Sequence, residues 1–191
     1  MRIVGIDPGS QRTGYGCVET DGRRHTLIVC GAITAPATLS FPERLARIHS
    51  GLSAVLASCR PDCVAIESLF HAANVRSALQ LGHARGVAVL AAVEAGCPVV
   101  EYAPTVIKRA VVGYGRAEKP QVQQMVKLLL GLARAPSPHD VADALAVAIC
   151  HSHMLPPAGS PARSKPLARA AASVPDRTPR SWRQYRPPAR G

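Results

Sequence analysis

Four carboxylates in this chain stand where acid chemistry could use them. Asp7 closes an apolar run, Ile3, Val4 and Ile6, and is followed by Pro8 and Gly9; Glu67 closes a second, CVAIE from Cys63; Asp140 and Asp143 lie three apart in HDVAD. An apolar run cut off by Pro and Gly reads as a buried strand leaving its sheet. A carboxylate at such a strand end must be exposed, hydrogen-bonded or bound to a cation. On adjacent strands, about 4.8 Å apart, Asp7 and Glu67 would come within reach of one cation. Asp140 and Asp143 would share a helix face about 5–6 Å apart. Four carboxylates converging on one cleft repel unless divalent cations neutralise them, and that arrangement serves two-metal phosphodiester hydrolysis, with Mg²⁺ ions about 3.5–4 Å apart. Blander readings stand beside this one: Asp before Pro-Gly is good turn chemistry, and acids in a first helical turn favour the helix dipole.

The elements that must position these acids follow from the apolar pattern. After the opening strand, Thr13–Glu19 and His25–Ile33 read as strands joined by an Asp21-Gly22 hairpin, giving three consecutive antiparallel strands. Ser40–Ala57 has Leu45, Ile48, Leu52, Val55 and Leu56 at helical spacing, with Ser40 as N-cap and Arg60-Pro61 closing it. Cys63–Glu67 is the fourth strand, Ser77–Ala95 a long helix, Pro98–Tyr102 the fifth strand and Pro104–Val112 a short helix. Gly113–Ala117 is a loop, Glu118–Leu132 a helix, and His139–His153 the last helix, with Ser137 as N-cap and Pro138 in the first turn. Gly82 and Gly86, four apart in the long helix, permit close helix approach and point to a subunit interface. The sum is an α/β domain with a five-stranded mixed sheet flanked by helices.

Charge and composition narrow the partners. The chain has 191 residues and a formal net charge of +11, which favours a polyanion, nucleic acid above all. Residues 156–191 carry eight Lys or Arg against one acid, Asp176, and eight of the 17 prolines, with no periodic apolar pattern. The expectation is a compact domain over 1–155 and a disordered basic Pro/Arg-rich tail over 156–191. With Trp182 and Tyr185 interleaved, that tail either binds nucleic acid without sequence preference or solubilises the chain. Six cysteines without a CxxC pair read as reduced core residues. No signal peptide and no run long enough to span a membrane is seen, so a cytoplasmic protein is expected.

Five separated motifs, in order, resemble the RuvC Holliday-junction resolvases. They are Ile6-Asp7-Pro8-Gly9-Ser10 with Thr13-Gly14-Tyr15-Gly16; Ala65-Ile66-Glu67 with Phe70; Ala84-Arg85-Gly86-Val87-Ala88; Lys108 through Val112-Gly113 to Glu118-Lys119; and Asp140 with Asp143-Ala144-Leu145-Ala146. The resemblance covers roughly residues 2–153. It implies an RNase H-like fold, a homodimer, a four-way DNA junction as substrate, and Mg²⁺ or Mn²⁺-dependent incision of two strands of like polarity, leaving 5′-phosphate and 3′-hydroxyl ends. A branch-migration motor complex is an implied partner. By position, Asp7, Glu67, Asp140 and Asp143 match the family's acidic site. Lys108 and Lys119 match basic residues near the scissile phosphate, and Phe70 matches an aromatic that wedges against bases at the crossover, where stacking contributes about 1–3 kcal/mol. Arg76 and Tyr114 are weaker candidates for DNA contact. His139 precedes the place where some members carry a histidine and is a candidate auxiliary group. His151 and His153, two apart on a helix, point apart and are not read as a metal pair.

Three rival readings remain. An actin-like ATPase also begins with a strand, an Asp and a Gly-rich turn, but it would need a second nucleotide-binding domain. A related RNA-processing nuclease of the same fold would show similar acid spacing. A non-catalytic junction binder gains nothing from four carboxylates beside phosphate.

Overall fold

The computed structural model describes residues 1–68 and 74–155. Phe70 and the tail over 156–191 lie outside the described residues. Five strands, β1 (Arg2–Asp7), β2 (Arg12–Thr20), β3 (His25–Thr34), β4 (Cys63–Glu67) and β5 (Val99–Tyr102), form one sheet in the order β3-β2-β1-β4-β5. β1, β2 and β3 are antiparallel neighbours, while β4 lies parallel to both β1 and β5. The mixed five-stranded sheet expected from the sequence is therefore present. In the hairpin between β2 and β3, the Asp21 carboxylate accepts the Arg23 and Arg24 N–H groups at 2.8 and 2.7 Å, and Gly22 takes a φ of +90°. That backbone region is open to glycine at no steric cost.

Helices cover both faces of the sheet: α1 (Phe41–Cys59), α2 (Val75–Glu94), α3 (Pro104–Val112), α4 (Lys119–Leu129) and α5 (His139–Met154). Several bounds differ by one to three residues from those expected, and caps explain the differences. Asn74 caps α2 by accepting the Ser77 N–H at 2.9 Å, which starts that helix two residues early. Glu118 stands outside α4 as its N-cap, and Gly131, at φ +61°, stops continuation toward Leu132. Ser137 does not cap α5; extended Pro138 holds the cap position, and the helix opens at His139. α1 keeps Ser40 as its N-cap, and the Glu43 carboxylate accepts the Ser40 N–H at 2.8 Å.

Strand alternation divides the interior into two layers. Side chains along a strand point to opposite faces in turn. Val4 and Ile6 of β1, with Val64 and Ile66 of β4, pack on Ile48, Leu52 and Leu56 of α1 and Ala84, Ala88 and Ala92 of α2. Ile3 and Ala65 go to the other face, into a core made with Ile107, Val111, Val126 and, from α5, Val141 and the buried run Leu145–Cys150. Asp7 shares the parity of Ile3, and Glu67 that of Ala65, so both acids project toward the α5 layer.

Glycines bring α5 unusually close to the sheet. Gly5 pairs with Gly16 across β1 and β2, and Gly14 lies opposite Asp7. A Cβ at Gly5 would stand 2.0 Å from the Ala144 carbonyl oxygen; at Gly14, 1.9 Å from that of Asp140; at Gly16, 2.4 Å from Leu145 Cδ2. At Gly5 and Gly14 the obstacle is α5 backbone and no side chain fits, while at Gly16 it is the Leu145 side chain; together these glycines seat the acidic end of α5 beside the end of β1.

Candidate active site

The register of the sheet builds the site. Ile6 pairs with Ile66 in the parallel β1–β4 ladder, so the next residues, Asp7 and Glu67, end adjacent strands side by side. α5 then delivers Asp143 from its first turns, α3 contributes Lys108, and the start of α4 contributes Lys119. Asp7, Glu67, Asp143, Lys108 and Lys119 line one cleft of about 210 Å³, closed at its base by Pro104, Ile107 and Val122. A larger hollow, about 410 Å³, lies where α1 and α2 end, and Glu94 is its one acid. Its walls are mostly small and apolar, whereas the smaller cleft gathers three acids and two lysines.

The acids of the cleft hold protons unusually tightly. Asp7 is pushed up to about 8, first by burial and then by the charges of Glu67, Asp143 and Asp140, with Lys119 opposing. Glu67 and Asp143 are raised as well, chiefly by burial. At Glu67 a hydrogen bond from Asp7 opposes that rise, as do the charges of Lys119 and Lys108. Lys119 Nζ donates to Asp143 Oδ2 at 3.4 Å, and that carboxylate is the main reason the Lys119 ammonium is held above its ordinary value.

Asp140 takes a different position from the other three acids. It is absent from the cleft lining and sits at the rim, with Oδ2 3.5 Å from Arg12 Nη1. The first turn of α5 thus splits its acids, Asp143 inward and Asp140 outward, although both still act on Asp7 through charge. Among the DNA-contact candidates, Tyr114 is half-exposed, and its hydroxyl donates to Gln121 Oε1 at 2.7 Å beside α4. Arg76 is exposed in the first turn of α2 and does not line the cleft. His139 is exposed at the start of α5 and lowers Asp143 slightly.

Sequence reasoning missed two contributors. Arg12 gave no signal, since a lone Arg beside a turn is usually solvated; only the seating of α5 brings it to Asp140. Thr13, fully buried, donates its hydroxyl to the Gly9 carbonyl at 2.9 Å and so holds the Pro8-Gly9 turn beneath Asp7. The alternation Thr13-Gly14-Tyr15-Gly16 was the readable clue, because glycines two apart open one face of a strand.

The donor set fits hard divalent cations. Among the described residues no three His, Cys, Asp or Glu side chains close into a ready-made cage. Mg²⁺ does not need one, because it keeps several waters and is held through one or two carboxylates. The raised protonation has a measurable consequence. Between the ordinary carboxyl range near 3.8 and about 8, folded Asp7 keeps a proton that the unfolded chain releases. Stability of the metal-free protein should therefore be full at low pH and fall as pH rises through 8, by at most about 1.4 kcal/mol per pH unit. Melting in chelator at pH 5 to 8 checks this. Wild type should lose stability across that range and Asp7→Asn should lose much less; equal slopes would remove Asp7 as the source.

The chain is similar to known proteins over most of its length. A family model described as "Crossover junction endodeoxyribonuclease RuvC" matches residues 3–151. The chain is 53% identical over 156 residues to the crossover junction endodeoxyribonuclease RuvC of Chloroflexus aggregans, covering 82% of this chain and 95% of that one. It is 54% identical over 153 residues to that of Alkaliphilus oremlandii, covering 80% and 93%. Among solved structures, Thermus thermophilus RuvC in complex with Holliday junction substrate superposes with a TM-score of 0.77 at 38% identity, covering 80% of this chain and 93% of that one. The yeast mitochondrial Holliday junction resolvase, 14% identical with a TM-score of 0.55, shares the fold. Among the described residues, no helix is long and apolar enough to cross a membrane.

Proposed function

The chain belongs to the RuvC family of crossover junction endodeoxyribonucleases, with the family's RNase H-like fold; its activity is the resolution of Holliday junctions, and we propose that it cuts two strands of like polarity by metal-assisted hydrolysis, leaving 5′-phosphate and 3′-hydroxyl ends. The carrying observation is the cleft in which Asp7, Glu67 and Asp143 meet Lys108 and Lys119. Mg²⁺, two per site, or Mn²⁺ in its place, would supply activation of water and stabilisation of the leaving 3′ oxygen. Asp7 and Glu67 would hold the cations once deprotonated. Asp143 would join them once Lys119 turns from it to the phosphate, a move that an exposed, flexible ammonium makes at little cost. Lys108, which also lines the cleft, adds positive charge where the phosphate enters. Asp140 completes the acid set from the rim, where Arg12 holds it until substrate or cation arrives. Phe70 is assigned to DNA contact on the strength of the family motif alone, and Arg76 and Tyr114 only on their places near the start of α2 and in the loop after α3.

The second half of the proposal is a two-fold dimer. Val75, Leu79, Leu90 and Val93 of α2 are between 49% and 76% exposed, and a Cβ at Gly82 or Gly86 would meet nothing within 4 Å. These six positions recur every three or four residues and so make one apolar stripe with a shallow middle. A second copy fits such a stripe, and a two-fold pair would present two identical clefts to the two-fold arms of a junction. Leu79→Asp should shift the protein to monomer in sedimentation and replace paired cuts by uncoordinated nicks; a variant that stays dimeric removes α2 from the interface. Work on chromosomal DNA, together with six free thiols, also supports the cytoplasm as its compartment. The decisive experiment incubates the protein with a mobile four-way junction and Mg²⁺ or Mn²⁺ and maps both cuts. Symmetrical incisions are expected; binding without metal-dependent nicking would leave only a junction binder.

A further inference from the structure

At the end of the sheet remote from the acids, two histidines from distant parts of the chain face one another. His25 opens β3, and His153 lies in the last turn of α5, roughly 20 Å along the helix from Asp140 at 1.5 Å per residue. Their Nε2 atoms are 3.2 Å apart and their ring centres 5.2 Å, with the planes inclined by 43°. Two imidazoles joined through a tetrahedral cation, with metal–nitrogen bonds of about 2.0–2.1 Å, have nitrogens about 3.3 Å apart and ring centres about 5.2 Å. A head-on contact at the same nitrogen spacing would hold the centres about 5.5 Å apart, so the observed ring-centre spacing matches the cation-joined arrangement more closely than the head-on one.

The surroundings fix the protons. His153 Nδ1 lies 3.0 Å from the Ala110 carbonyl of α3, which can only accept, so Nδ1 carries the proton and the neutral ring presents a bare lone pair at Nε2. A carbonyl behind the ring is the usual means of orienting a metal-binding histidine. His25 Nδ1 lies 3.2 Å from Thr20 Oγ1, which is 3.1 Å from Ser152 Oγ. These hydroxyls can reverse their direction of donation. With no cation, Thr20 donates to His25 Nδ1, and the His25 Nε2 proton bridges to His153. Reversed, His25 Nδ1–H donates to Thr20, and both Nε2 lone pairs meet with nothing between them. That second state is unfavourable unless a cation fills the gap.

We propose that His25 and His153 form a surface site for a borderline divalent cation, Zn²⁺, Ni²⁺ or Co²⁺, bound through the two Nε2 atoms with water in the remaining positions. Imidazole suits these ions and not Mg²⁺, so the site is chemically distinct from the acid cleft. A cation there ties the β2–β3 hairpin to the end of α5 and, through Ala110, to α3.

The test titrates the full chain with ZnCl2 in excess Mg²⁺, which keeps the carboxylates occupied, and follows heat and melting temperature. Wild type should bind one equivalent of Zn²⁺ and melt higher. His25→Gln and His153→Gln should each weaken binding ten-fold or more and abolish the melting shift. Wild-type junction cutting by His25→Gln in Mg²⁺ alone would report that the variant is folded. Zn²⁺ binding that is equal in wild type and both variants, or no binding by wild type, would overturn the proposal.

Discussion

Asp7→Asn is expected to reduce junction cutting by at least about 10³-fold while leaving junction binding within a few-fold of wild type. The side chain keeps its shape and one acceptor oxygen but can no longer carry the negative charge that a cation needs. It stands at the centre of the site, adjacent to Glu67 in the ladder and acted on by Asp143 and Asp140. If Asp7 holds the cations as proposed, its loss affects every cation position at once. Junction affinity should persist, because phosphate contacts come from Lys and Arg and the variant removes a repelling acid. Single-turnover cutting beside gel-shift affinity separates the two. An Asn variant that cuts at the wild-type rate would falsify the central role of Asp7, whereas one that neither binds nor cuts would indicate misfolding and be recognised by its melting curve.

Gly5→Ala should have one of the largest effects of any change outside the cleft. The new methyl would lie 2.0 Å from the Ala144 carbonyl oxygen and 2.7 Å from the Ala148 nitrogen, both backbone atoms of α5, so no side chain can swing away. Either the helix rises by more than 1 Å or the strand buckles. Overpacking of this kind costs about 3 kcal/mol, and displacement of Asp143 by about 1 Å is worth about 100-fold in rate. Urea unfolding and single-turnover cutting measure the two effects. Wild-type values for both would mean that α5 has slack, contrary to the contacts described.

The sequence carried most of the framework because its signals were local. The opening run Ile3-Val4-Gly5-Ile6, the Asp21-Gly22 hairpin and the periodic Leu45–Leu56 helix each declare themselves within a few residues. Asp7 and Glu67 could be paired because both end apolar runs and a parallel ladder aligns such ends. Asp140 and Asp143 were harder. Spacing three apart puts two residues on one face, but which one enters the cleft depends on the rotation of α5 over the sheet. That rotation is set by Gly5, Gly14 and Gly16 acting together from two strands. The pairing of Arg12 with Asp140 follows from the same long-range fit and has no local signature. The His25–His153 contact joins positions 128 residues apart, and comparing neighbours along one helix could not reach it.

The parity of β1 separates two tasks that a single sheet must perform. Val4 and Ile6 support the helices that carry the outward apolar stripe, while Ile3, Gly5 and Asp7 support the helix that carries the acids. Substitutions confined to opposite sides of this partition share no side-chain neighbours, so their effects on stability should add to within about 0.3–0.5 kcal/mol. The outward stripe of α2 and the acids can then drift independently over evolutionary time. A lineage could remodel that stripe without retuning the acids, provided the strand between them stays straight.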